Sequence, residues 1–195
     1  MVKILAFSGS ARNDSYNQRL VTQAAGMMSQ YSDVAVTTIN LRNYPMPVFN
    51  QDDEQSDGLP ESARGFKSLL LEHDAWLIAS PEYNGSFSAL LKNALDWASR
   101  SEVDDEPSLS AYRGKFAAIM SASPGGLGGI RGLVPLRLLL GNLGVTVIAE
   151  QFALKFAAKA FDNDGTLIEE SQQKQLQRVV ARLRFIASAV SNAST

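Results

Sequence analysis

Apolar residues fall along the chain in five short runs separated by amphipathic stretches. The runs are Val2–Phe7, Val34–Asn40, Ala75–Ser80, Lys115–Ser121 and Val145–Ile148. Four are apolar almost throughout, as strands buried on both faces of a parallel sheet are. Val34–Asn40 instead alternates at Val34, Val36 and Thr38, the habit of a strand near an edge. Helical spacing appears over about Ser15–Ser29, Glu61–Glu72, Ser86–Arg100, Ile130–Asn142 and Ser171–Ser191. Strand–helix alternation of this kind predicts an α/β protein. Its sheet is a doubly wound, five-stranded parallel one in the order 2-1-3-4-5, with helices on both faces. The length suits one domain over residues 1–195. The acidic stretches Asn50–Gly58 and Ser101–Ser110 are expected to be solvated loops.

In such a sheet, ligands bind beyond the carboxyl ends of the strands, near the switch between strands one and three. Three polar, glycine-bearing loops fall there: Ser8–Asn17, Ser80–Ser86 and Ser121–Gly129. The first carries Ser10, Ser15 and Asn17, and a helix is expected to start near Ser15. A helix start offers unpaired N–H groups and a partial positive charge, and Arg12 adds a forked cation. Together they suit a dianionic phosphomonoester. The plain alternative makes Ser15 an N-cap and Arg12 a solvated loop residue. With Gly9 as its single glycine, the loop is not G-x-G-x-x-G, and no G-K-[ST] follows. In the second loop, Pro81, Asn84 and Gly85 fix a turn that can aim backbone groups at the edge of a planar ring, with Tyr83 beside its face. The plain alternative is a structural turn with an exposed tyrosine. The third, Ser121–Gly129, has glycine at 125, 126, 128 and 129, which permits either close backbone approach to a ligand or flexibility.

Composition then removes alternatives. The chain has no cysteine, so disulfide, iron–sulfur and thiol chemistry are excluded. His73 is the single histidine. A His-based metal cluster is therefore excluded, a Ser/His/Asp triad lacks its G-x-S-x-G elbow, and a surface or helix-end role is expected. The net charge of -2 argues against a nucleic-acid binder. No apolar run is long enough for a membrane span, and the first run is too short for a secretory signal, so the cytoplasm is the expected compartment. Asp162–Gly165 is expected to be a turn rather than a calcium loop, and Asp104–Glu106 part of a solvated loop. Apolar residues surround much of the helix Phe87–Arg100. That helix is either a subunit contact or well buried within one chain.

Taken together, the three loops resemble those of the NADPH-dependent FMN reductase family, the flavodoxin-like group that includes quinone, azo-dye and chromate reductases. The family's opening motif, roughly G-S-x-R-x-x-S-x-N, is matched by Gly9-Ser10-Ala11-Arg12-Asn13-Asp14-Ser15-Tyr16-Asn17. Its P-E-Y-N motif is matched by Pro81-Glu82-Tyr83-Asn84. Gly128-Gly129-Ile130-Arg131, Leu143-Gly144-Val145 and the stretch Phe161–Leu167 are similar to later blocks. The resemblance implies that Ser10, Arg12, Ser15, Tyr16 and Asn17 hold the FMN phosphate. Pro81, Glu82, Tyr83 and Asn84 would border the isoalloxazine and ribityl chain, and Ser123 would reach the flavin from the fourth strand. It further implies NADPH or NADH as co-substrate, a small-molecule electron acceptor such as a quinone, azo compound, chromate or free flavin, and a homodimer or homotetramer. The cofactor carries the chemistry, so no catalytic side chain is expected. The alternative is a flavodoxin-type electron carrier; its acidic docking surface and arginine-free phosphate loop fit poorly with a charge of -2 and Arg12. Pro135 departs from the expected pattern and should kink or delay its helix.

Overall fold

A computed structural model describes residues 1–193, with side chains through Ser191; the last two residues of the expected 1–195 unit lie outside the described residues. The strands are β1 (Val2–Ser8), β2 (Val34–Thr38), β3 (Ala75–Ala79), β4 (Phe116–Ala122), β5 (Thr146–Val147) and β6 (Phe152–Leu154). They form one sheet in the order β2-β1-β3-β4-β5, and every pairing is parallel. This is the flavodoxin-like arrangement expected from the apolar runs. β4 pairs with β5 near its start and with β6 near its end, so two short strands share the fifth position.

Side chains alternate across the sheet, so each strand feeds two cores. Ile4, Ala6, Leu77, Ala79, Ala118 and Met120 pack under α1 (Tyr16–Met28) and α6 (Glu170–Ala193). Leu5, Phe7, Trp76, Ile78 and Ile119 pack under α3 (Glu61–Glu72), α4 (Ala89–Ala98) and α5 (Ile130–Asn142). Both faces are covered, which is why the strands read as continuous apolar runs. Register levels the carboxyl ends: Ser8 pairs with Ala79, and Ala79 with Met120. The three polar loops therefore leave the sheet side by side.

Several expectations change. Gln51–Asp57 is a helix (α2), capped by Asn50, whose Oδ1 accepts the Asp52 N–H at 3.1 Å. None of its residues is buried, so it left no apolar stripe to read; Asp52, Asp53 and Glu54 instead favour the positive end of its dipole. The stretch Ser101–Ser110 is not merely solvated, because Glu106 pairs at 2.6 Å with the buried Lys67. α4 starts after Ser88, which caps it, rather than after Ser86. Its Leu91, Ala94, Leu95, Trp97 and Ala98 are buried within this chain, while Lys92, Asn93 and Asp96 are not. α5 begins at Ile130 without delay and contains Pro135. His73 caps α3 but is buried rather than at the surface, with Nδ1 2.7 Å from the Leu69 carbonyl and Nε2 2.8 Å from the Thr37 hydroxyl. Asp162–Gly165 is a turn, with Asp162 Oδ1 accepting the N–H groups of Asp164 and Thr166.

Candidate functional site

The crevice is built where the loop after β1 meets the loops after β3 and β4. Gly9 leaves the first strand bonded to β3, its N–H on the Ala79 carbonyl at 2.9 Å. A Cβ on Gly9 would lie 2.9 Å from both Leu91 Cβ and Ser88 Oγ. The glycine is thus demanded by contact with α4. Ser88 completes that contact: its hydroxyl donates to the Gly9 carbonyl at 2.5 Å and accepts the Leu91 N–H at 3.2 Å. One short side chain caps α4 and fixes the start of the first loop.

The first loop then turns into α1. Ser15 is the N-cap, with Oγ accepting the Gln18 N–H at 3.2 Å. Ser10 is buried, and its Oγ accepts the Arg12 N–H at 3.4 Å. Arg12 is exposed and has no ion-pair partner among the described residues. Asn17 behaves differently from its neighbours. Its amide is buried and spent on the backbone of Ala122, donating to the carbonyl at 3.0 Å and accepting the N–H at 2.9 Å. It ties α1 to the end of β4.

The second loop is a tight turn. Tyr83 and Ser86 exchange backbone hydrogen bonds at 2.9 and 3.1 Å, and Asn84 between them has a φ of +53°, the left-handed region that asparagine tolerates. Ser80 secures its base, donating to the Pro81 carbonyl at 3.1 Å and accepting the Ser88 N–H at 3.3 Å. Glu82 turns its carboxylate toward Arg131 at the start of α5, with a closest contact of 2.6 Å. In the third loop, Ser123 is hydrogen-bonded through its N–H to Leu154 and through its carbonyl to Ala157. Ser121, below it, donates to the Gly128 carbonyl at 2.8 Å.

Ser10, Arg12, Ser15, Tyr16 and Asn17 line one small cavity of about 80 Å³ together with Pro81, Glu82, Tyr83 and Ser123. Asn84, at the tip of its turn, does not line it. A second cavity of about 420 Å³ adjoins across Ser10, Arg12 and Tyr83, walled by Gly9, Ala11 and Ser88–Leu90. Ser88 and the Ala89–Leu90 wall were not legible as site residues, because the expected helix start lay two residues too early. The small chamber has two sides: hydroxyls, a helix start and a cation from the first loop, and facing them the Pro81–Tyr83 turn with Ser123; the larger one, across Arg12 and Tyr83, is mainly apolar. A phosphate on the first-loop side and a flat ring against the turn match that division. The donor set of Ser10, Arg12, Ser15 and the start of α1 thus fits FMN. A larger recess of about 640 Å³ lies between α1 and the Asp164–Thr166 turn. Its one cation, Arg19, stands 3.9 Å from Asp14, and the recess lies away from the strand ends.

Comparison with known proteins agrees with this geometry. Residues 2–159 match the model of the NADPH-dependent FMN reductase family. An NAD(P)H-dependent FMN reductase of Pseudomonas aeruginosa is 33% identical over 185 residues, covering 94% of each chain. An NAD(P)H:quinone oxidoreductase of Solanum tuberosum is also 33% identical, covering 96% of this chain and 93% of its own. Among solved structures, the flavoenzyme NAD(P)H:(acceptor) oxidoreductase FerB of Paracoccus denitrificans superposes with a TM-score of 0.81 at 27% identity, over 97% of this chain and 98% of FerB. The chain belongs to the NADPH-dependent FMN reductase family.

Proposed function

We propose that the crevice beyond β1, β3 and β4 binds FMN and that the chain uses NADPH or NADH to reduce quinones or similar small acceptors there. The observation that carries this reading is the convergence of the first loop's hydroxyls, helix start and Arg12 on one chamber with the Pro81–Tyr83 turn and Ser123, opening across Arg12 and Tyr83 into a second, apolar chamber. Arg12, Ser10, Ser15 and the first-turn N–H groups of α1 would hold the phosphate. Tyr16 flanks that end, and Asn17 serves by fixing α1 to Ala122. Pro81, Glu82, Tyr83 and Asn84 would border the ring and ribityl chain mainly through their backbone, with Ser123 opposite. Bound there, FMN supplies hydride acceptance and onward electron delivery. The protein's share is placement and charge. Glu82 is paired with Arg131, and His73 lies at the far end of the sheet, so neither is a free acid or base in the crevice.

Membership of the family favours an enzyme over a carrier, and the relatives' names favour quinones as acceptors. Among the described residues, no helix is long and apolar enough to cross a membrane. Dependence on NAD(P)H favours work in the cytoplasm, where that reductant is supplied. Association into a homodimer or homotetramer is favoured by a row of exposed apolar side chains on α5: Ile130, Val134 and Leu138, with Leu127 before it. The test is direct. Purified protein titrated with FMN should take up flavin, and the loaded protein should oxidise NADPH or NADH when a benzoquinone is added. Failure to take up FMN overturns the reading; uptake without turnover points to the carrier.

A further inference from the structure

Glu82 lines the small chamber, yet its carboxylate is fully engaged from outside it. One oxygen receives Nε and Nη2 of Arg131 at 2.7 and 2.6 Å, and the other receives the Arg131 backbone N–H at 3.1 Å. The Glu82 side chain is 7% exposed, whereas that of Arg131 is 65% exposed. The backbone donor belongs to the first turn of α5, so the carboxylate also sits at the positive end of a helix.

The glycines around this pair are there for close approach. Gly129 has a φ of +85°, and a Cβ on it would lie 2.9 Å from Ser121 Cβ and 3.6 Å from Glu82 Cβ. On Gly132 a Cβ would lie 3.1 Å from the Ser86 carbonyl oxygen and 3.3 Å from Glu82 Cβ. The start of α5 is therefore pressed against both ends of the Glu82–Ser86 turn. That turn holds Asn84 at a left-handed φ, a conformation that needs support from its surroundings.

We propose that Arg131 is a positioning residue for the flavin ring, acting through Glu82. The pair sets the backbone of the turn beside the ring and neutralises a carboxylate that would otherwise stand next to it. This rests on the reading of the crevice as an FMN site. Two consequences separate it from a purely structural ion pair. First, the clamp serves the ring end, so its loss weakens FMN and riboflavin alike, unlike loss of a phosphate contact. Second, charge beside the ring moves its reduction potential. An unpaired Glu82 opposes the arrival of electrons and an unpaired Arg131 favours it.

The experiment uses the full chain carrying Arg131→Ala, Glu82→Gln and the double variant Glu82→Gln/Arg131→Gln. Affinities for FMN and riboflavin are measured by fluorescence titration, and the midpoint potential of bound FMN by equilibration with reference dyes. Arg131→Ala should weaken both flavins by about tenfold, a loss typical of one charge-assisted contact. Its potential should shift negative, that of Glu82→Gln positive, and that of the neutral double variant should return toward the wild type. Should Arg131→Ala fail to fold, Arg131→Lys carries the test: it keeps the charge without the fork, so the potential holds while affinity falls by less than tenfold. Unchanged affinities, or potentials that do not move in opposite directions, overturn the proposal. A wild-type protein that binds no FMN overturns the flavin reading itself, and the clamp's role with it.

Discussion

Asn17 and Ala122 are bonded in both directions, amide to carbonyl at 3.0 Å and N–H to amide oxygen at 2.9 Å, across 105 positions of sequence. The side chain replaces the next strand partner at the end of β4 and holds α1 over the crevice. Removing it strands two buried backbone groups, each costing about 1–3 kcal/mol when left unpaired. Asn17→Ala should therefore lower apo-protein stability by about 2–4 kcal/mol in urea titration. FMN affinity should fall as well, because the helix start is released. Unaltered stability with lost affinity would show instead that Asn17 acts on the ligand directly.

Arg12 is the opposite case. It is exposed and pairs with no described carboxylate, so the fold gains little from it. Arg12→Ala should leave the melting temperature unchanged. FMN affinity should fall by roughly 10- to 100-fold, the worth of a hydrogen-bonded charge, while riboflavin binding stays the same. Paired titrations of the two flavins check this. Equal losses for both would place Arg12 away from the phosphate.

Much of this was legible in the chain. Four of the five apolar runs marked their strands because burial on both faces writes itself as continuous hydrophobicity, and the count of strand–helix units pointed to the strand order. Of the ten residues expected at the flavin, all but Asn84 line the small chamber, which Ala122 and Pro124 complete. What stayed hidden had physical reasons. α2 buries nothing, so no periodicity marks it. Phe152–Leu154 is a three-residue strand, too short to stand out from its surroundings. Asn17 matched the motif, but its bond to Ala122 is a long-range fact that spacing cannot show. The same holds for Glu82, whose partner lies 49 positions away.

Gly9 illustrates how a motif glycine can serve packing. A methyl group there would meet Leu91 Cβ and Ser88 Oγ at 2.9 Å, both held by the start of α4. Gly9→Ala should cost about 1–3 kcal/mol through overpacking and also weaken flavin binding. Ser88→Ala leaves the Gly9 carbonyl without that donor and α4 without its cap, costing about 1–2 kcal/mol. Because the two residues share one contact, the double variant should lose less than the sum. Full additivity in denaturant titration would refute a shared contact.

Lys67 and Glu106 give the molecule an acid-sensitive latch remote from the crevice. Lys67 is buried beneath the Ser101–Ser110 stretch, with Nζ 2.8 Å from the Arg100 carbonyl and 2.6 Å from Glu106. Burial pushes the Glu106 carboxyl up, but hydrogen bonds from Lys67, Ser110 and the Glu102 N–H outweigh it. Together with the Lys67 charge they hold it at about 2, below the usual 4.5. A carboxyl lowered in the folded state stabilises fully above its unfolded pKa, and that contribution disappears as pH falls through the folded one. The latch should therefore weaken between about pH 4.5 and pH 2. After allowance for solvent screening it is worth about 1–2 kcal/mol. Glu106→Gln should lower stability at pH 7 by that amount and flatten its fall in this acid window. Lys67→Met should flatten the same window, because Glu106 then loses the hydrogen bond and the charge by which Lys67 lowers it. Urea midpoints measured from pH 7 down to pH 2 decide it: a fall as steep in both variants as in the parent would show that other carboxylates set the acid limit.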